Sequence, residues 1–169
     1  MTVLIQVQTN PLDMTALMRH ASLSEQDFGA QVTFTGWVRQ HDYVTPITHL
    51  HLEHYPQVTE AEIARIVDTC LHKWPVNEVV VVHRVGKIAV GEAIVFVLTQ
   101  ASHRSDAYAA NEYLMDYLKT TAPFWKQECF VDGSTHWVAA KASDVAKALK
   151  ASHPYEEPAF EFIQVLDIE

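Results

Sequence analysis

The sequence predicts an α+β domain. Strand-length apolar runs and helical stretches follow one another in mixed order, without the regular βα alternation of a doubly wound sheet. Two long segments carry apolar residues at helical spacing, and several shorter ones alternate with a period of two. The chain has 169 residues, 49% hydrophobic and 20% charged, with no internal repeat or low-complexity linker. That suits one domain with a sizeable core.

The elements can be justified in order. Val3 to Val7 reads as a short strand. Asn10-Pro11 opens a helix to about His20, with Asn as cap, Pro in the first turn and Asp13 at the positive end. Phe28-Gly29 is a break. From Ala30 to Arg39, Phe34, Gly36 and Val38 share one strand face, and Thr35, Trp37 and Arg39 share the other. Gly36 in mid-strand suggests a bulge or a close backbone approach. Gln40 to Pro46 is a polar loop, and Ile47 to Tyr55 is a strand. Thr59 with Glu62 forms a capping box for a helix whose inner face holds Ile63, Ile66, Val67, Cys70, Leu71 and Trp74. Glu78 to Arg84 is a β-branched strand, Gly86 and Gly91 mark turns, and Ala93 to Gln100 is another buried strand. Ser102 to Thr121 is a second long helix with Ala107, Ala110, Leu114, Tyr117 and Leu118 inward; Pro123 ends it. Phe124 to Val131 and Thr135 to Ala139 form a hairpin around Asp132-Gly133-Ser134. Ser143 caps a last helix to about Ala151, and Ala159 to Ile168 alternates as a strand.

Twelve Lys and Arg against twenty-one Asp and Glu give a net charge of −9. This disfavours nucleic acid, which needs a broad basic face, and anionic membranes. It leaves room for one small cationic pocket. The apolar runs are strand-length, so no membrane span is expected. The N-terminal residues do not read as a signal peptide. Two cysteines make no disulfide framework, so a cytoplasmic setting is expected.

Chemistry concentrates at element ends. Ser102-His103-Arg104-Ser105 starts a helix, where backbone N–H groups beside His and Arg suit either an anion or an ordinary capped start. Lys119 sits in the last turn of that helix, where any cation complements the dipole. Lys126 follows two aromatics; partial loss of hydration would make it a nucleophile or base, and a snorkelling edge lysine is the other reading. Glu128 shares its strand face, and an ion pair would explain both residues without catalysis. His49, His51 and Glu53 share a strand face and offer two imidazoles and a carboxylate for a divalent metal, or simply a polar surface. On that alternative the protein is a non-enzymatic metal-binding or interaction protein using these residues or the C-terminal tail.

Several motifs in order carry a resemblance: Val32-Thr33-Phe34-Thr35-Gly36-Trp37-Val38-Arg39, Leu52-Glu53-His54-Tyr55-Pro56, His83-Arg84-Val85-Gly86, Ser102-His103-Arg104, and Tyr117-Leu118-Lys119 through Ala122-Pro123-Phe124-Trp125-Lys126-Gln127-Glu128. From about Phe28 to Ala148 the chain resembles the large, catalytic subunit of molybdopterin synthase, the MoaE family. The resemblance implies an α/β hammerhead with an additional antiparallel sheet region. It implies a sulfurtransferase that converts cyclic pyranopterin monophosphate into molybdopterin by forming a dithiolene. Sulfur would arrive as a thiocarboxylate on the Gly-Gly tail of a small ubiquitin-like subunit, MoaD. It also implies a homodimer with a small subunit at each end, and no bound metal or cofactor.

Carried over position by position, the resemblance places Lys119 and Lys126 as the catalytic lysines. Arg39, His103 and Arg104 fall on the substrate-anion site, completed across the dimer, and Phe34 and Glu128 on pocket positions. Lys141 stands where the family often has arginine, which keeps the charge but loses the bidentate fork. The domain accordingly spans residues 1–151, with 152–169 as an extension. There, His153-Pro154-Tyr155-Glu156-Glu157-Pro158 resembles an HPYExP motif of the cation-tolerance family, and an extra strand padding a sheet edge or an interface is expected.

Overall fold

The computed structural model describes residues 1–22, 27–40 and 44–138. Lys141, the helix expected from Ser143 and the C-terminal extension lie outside the described residues. The fold is α+β, and the described residues form three helices and two four-stranded sheets.

The first sheet has the order β1-β4-β6-β2, from β1 (Thr2–Gln8), β4 (Val76–Arg84), β6 (Ala93–Ala101) and β2 (Ala30–Trp37). β1 pairs parallel with β4, and β6 is antiparallel to both β4 and β2. Its centre is buried on both sides, which is why the β4 and β6 sequences read as continuous apolar runs. One face packs on α2 (Val58–Lys73) and α3 (Arg104–Thr120), with Ile63, Ile66, Cys70, Val79, Val97 and Leu114 at the centre. The opposite face packs on α1 (Met14–Ser22), where Ala21 meets Val80, Val82, Phe96 and Leu98. The inner face expected of α3 is buried as expected.

The second sheet is antiparallel, in the order β5-β3-β7-β8, from β5 (Gly86–Ala89), β3 (Ile47–His54), β7 (Phe124–Phe130) and β8 (Thr135–Val138). It buries one face around Leu50, Leu52 and Ile88. β5 lies where the sequence predicts only turns, because four residues between two glycines are too short to show a period. It forms because β3 offers an edge, with His51 opposite Lys87.

Two caps differ from expectation. Asp13, rather than Asn10, caps α1: its Oδ1 accepts the Ala16 N–H at 2.9 Å. The Thr59–Glu62 box does not form. Helix α2 starts earlier, after Gln57 at φ 71°, so Thr59 lies inside the helix. Its hydroxyl accepts the Tyr55 N–H at 3.1 Å and donates to the Pro123 carbonyl at 3.3 Å. Glu62 turns instead to Arg65, 2.6 Å away. Thr59 thereby ties the start of α2 to the turn between α3 and β7, where both candidate lysines lie.

Candidate functional site

That turn borders a cavity of about 360 Å³ between the two sheets, which both Lys119 and Lys126 line. Lys119 comes from the last turn of α3, and Lys126 from the second residue pair of β7. Between them Ala122 is buried and Pro123 breaks the helix, so the chain reverses and brings the lysines together. Phe34 of β2 also lines the cavity and is exposed, at 39%.

The wall between β2 and β6 shows how local irregularity makes the site. Gly36 pairs with Val95 but Trp37 pairs with Ala93, so Ile94 is an extra residue on β6. In a regular pair, adjacent residues face opposite sides. Here both Gly36 and Trp37, and both Ile94 and Val95, line the cavity. An irregularity is therefore present beside Gly36, but its extra residue is Ile94 of β6 rather than a residue of the Gly36 strand; Trp37, itself exposed, lines the cavity along with Phe34. Gly36 also shows the expected close approach: a Cβ there would sit 3.0 Å from a Val95 methyl.

Glu128 stands behind Lys126 on the same face of β7. It is buried, and its Oε1 lies 3.6 Å from Lys126 Nζ. The ion pair that the shared strand face allowed is formed.

The remaining positions lie elsewhere on the chain. Arg39 follows the end of β2, past buried Val38, and is exposed. His103 is the cap residue of α3, with no side-chain cap bond, and Arg104 is its first residue; both are exposed. At about 1.5 Å of rise per residue, Arg104 is about 22 Å along the axis from Lys119. The structure thus gathers Phe34, Lys119, Lys126 and Glu128, and leaves His103 and Arg104 at the far end of α3.

Sequence reasoning gave no role to His83, whose motif was noted only as a resemblance. It lines the same cavity, stacked on Phe124 with ring centroids 3.8 Å apart at 16°. Burial pushes its imidazole down to about 4, against a smaller upward pull from its bond to the Arg84 carbonyl, with His54 nearby adding to the lowering. A polar residue in a β-branched buried strand was the available signal.

A larger depression, about 630 Å³, crosses the start of α2 and Pro123. Its charged side chains, Glu62 and Arg65, are bonded to each other, so the chemistry points to the lysine cavity. On β3, His51 Nε2 lies 3.5 Å from Glu53 Oε1, and His49 Nδ1 is bonded to the Thr48 hydroxyl at 2.8 Å. Among the described residues, no three His, Cys, Asp or Glu side chains are grouped to hold a metal ion. Among those residues, too, no helix is long and apolar enough to cross a membrane.

Comparison with known proteins decides the family. The family model described as MoaE protein matches residues 7–121. The chain belongs to the MoaE family. It is 49% identical over 123 residues to a molybdopterin synthase catalytic subunit of Escherichia coli, covering 72% of this chain and 81% of that one. It is 42% identical over 151 residues to the same-named subunit of Mesorhizobium japonicum, covering 88% and 94%. Among solved structures, the molybdopterin biosynthesis MoaE protein from Burkholderia ambifaria superposes with a TM-score of 0.75 at 38% identity, covering 89% of this chain and 99% of that one.

Proposed function

We propose that this chain is the catalytic subunit of a molybdopterin synthase. It converts cyclic pyranopterin monophosphate to molybdopterin, taking sulfur from the C-terminal thiocarboxylate of a small ubiquitin-like subunit. The observation that carries this reading is the cavity itself: in a chain of the MoaE family, Lys119 and Lys126 line one apolar-walled space.

The two lysines have different surroundings and so different tasks. Lys119 closes a helix that ends on the cavity, and its ammonium polarises the thiocarboxylate carbonyl and stabilises charge that develops during acyl transfer. Lys126, held by Glu128, stabilises charge on the pterin or moves a proton. Apolar walls make these charges count for more than they would in water. A Gly-Gly tail suits the entrance, because residues without side chains pass close to backbone.

Arg39 grips the cyclic phosphate by charge-assisted hydrogen bonds. The MoaE resemblance places His103 and Arg104 on the same anion from a second copy of the chain, in a homodimer with a small subunit at each end; their helix-length separation from Lys119 on one copy is consistent with that. In an acidic chain these groups form a local positive well. The reaction proposed uses side chains and the carrier's sulfur, with no resident metal or cofactor. Two free, buried cysteines suit a reducing cytoplasm.

The test is reconstitution. The purified protein, given thiocarboxylated small subunit and cyclic pyranopterin monophosphate, produces molybdopterin. Lys119→Ala removes turnover while still binding the small subunit; full activity in that variant would overturn the assignment.

A further inference from the structure

The motif His83-Arg84-Val85-Gly86 splits into two parts with different work. Arg84 is buried and structural. It lies 3.0 Å from Glu92 and donates to the carbonyls of Thr9 and Lys87 at 3.3 and 3.4 Å, joining the end of β1 to β5. Gly86 turns the chain at φ 76°. Neither touches the cavity. His83 does.

The state of the His83 ring follows from its contacts. Nδ1 is 2.9 Å from the Arg84 carbonyl oxygen. A carbonyl only accepts, so Nδ1 carries the proton. The buried ring is neutral at pH 7, which leaves an unshared pair on Nε2. The stack on Phe124 fixes the ring plane. With its Nδ1 edge turned to its own backbone, the ring leaves its Nε2 edge to the cavity.

The other lining side chains make this nitrogen conspicuous. Lys119 and Lys126 are donors only, and Trp37 offers an indole N–H. The rest are apolar, apart from the weak thioether of Met115. Among the described lining side chains, Nε2 of His83 is thus the one strong hydrogen-bond acceptor. A ligand's anionic or carbonyl oxygens have donors to meet, and its N–H groups have this atom alone among the side chains.

We propose that His83 is a ligand-recognition residue whose Nε2 accepts an N–H from the molecule held beside Lys119 and Lys126. This rests on the function proposed above, in which both ligands carry such donors: the pterin in its ring and amino groups, the carrier tail in its glycine amides. A fixed acceptor also gives selectivity, because a ligand lacking the N–H leaves a buried lone pair unmet.

Two substitutions separate recognition from structure. His83→Gln loses the bond to Arg84 but can present Oε1 near the place of Nε2. His83→Phe preserves the stack and removes the acceptor. Two measurements separate the ligands: the Kd of carboxylate-ended small subunit by calorimetry, and the KM for cyclic pyranopterin monophosphate at saturating thiocarboxylated subunit. His83→Phe should raise one of these about tenfold, with His83→Gln within about threefold of the parent. The constant that moves names the ligand that supplies the N–H. Both constants unchanged in His83→Phe, or His83→Gln impaired as much as His83→Phe, would overturn the proposal. A measurement on the unaltered protein covers variants that fail to fold. The imidazole ¹⁵N resonance of His83 Nε2 should shift when the carboxylate-ended small subunit and then the pterin are added; no shift with either refutes the contact. Wild-type protein that makes no molybdopterin would instead refute the function itself.

Discussion

Helix α3 meets its surroundings differently at its two ends. At the C-terminal end Tyr117 and Leu118 are buried, Lys119 lines the cavity, and the chain reverses through Ala122 into β7. At the N-terminal end Ser102, His103, Arg104 and Ser105 are all exposed, and no side chain caps the helix. One end lines a cavity with walls on several elements; the other places an imidazole and a guanidinium on an open surface. A helix of 17 residues is too long to bring both ends to one ligand. The contrast teaches that one copy of the chain gathers Lys119 with a cavity and leaves His103 and Arg104 on a separate surface.

Breaking the cavity end should have the largest effect. Lys119→Ala is expected to lower turnover by about 10²-fold or more, the scale of losing a preorganised charge at the reacting group. Single-turnover assays with the small subunit already bound measure this apart from docking. The open end is sharpened by mixing. Lys119→Ala and Arg104→Ala should each be weak alone. Co-refolded in equal amounts, they should recover about a quarter of parental activity, because half the dimers are mixed and each has one intact site. No recovery above the separate variants would mean that His103 and Arg104 do not complete a second copy's site.

A smaller effect is expected where the open end is anchored. Gly29 donates its N–H to the Ala101 carbonyl at 3.1 Å, and a Cβ at Gly29 would run into the carbonyl oxygen of Ser102. Gly29→Ala should therefore cost about 1–3 kcal/mol in chemical denaturation. It should also weaken pterin binding more than small-subunit binding, because Ser102 precedes His103 and Arg104.

An effect of comparable size belongs to the cavity end and appears only on acidification. His83 titrates at about 4 in the folded chain, against 6.5 ordinarily. Above 6.5 both states are neutral and nothing is lost. As pH falls from 6.5 towards 4, the unfolded chain takes up a proton that the folded chain refuses, so stability falls. Between pH 7 and pH 5 this amounts to about 2 kcal/mol. Urea titrations at the two values should show that loss, and His83→Gln should show correspondingly less.

Much of this was legible in the residues. The inner face of α3 and the strand character of β4 and β6 follow from periodicity and β-branching, and a glycine in mid-strand marked where the pairing of β2 with β6 becomes irregular, though not that the extra residue lies on β6. The pairing of Lys126 with Glu128 also follows, since alternate residues of a strand share a face. The start of α2 was not legible, because a local capping pattern competes with the hydrogen bonds that Thr59 makes to Tyr55 and Pro123. β5 was not, because its formation depends on the edge of β3. Nor was His83, since nothing in its immediate neighbours says that Phe124, 41 positions along the chain, will stack on it.

The sequence by itself determined the α+β class, the long helices, the family motifs and the scarcity of cations. These are set by local spacing and side-chain type. The tertiary structure alone decided which of those groups share a cavity. A one-residue irregularity between β2 and β6 shaped the wall that Trp37 and Ile94 share, a proline-broken turn put Lys119 and Lys126 on one cavity, and pairing between distant strands placed His83 with them. It also put His103 and Arg104 a helix length away. Distances across a fold depend on how sheets and helices pack, and packing is not written in the spacing along the chain.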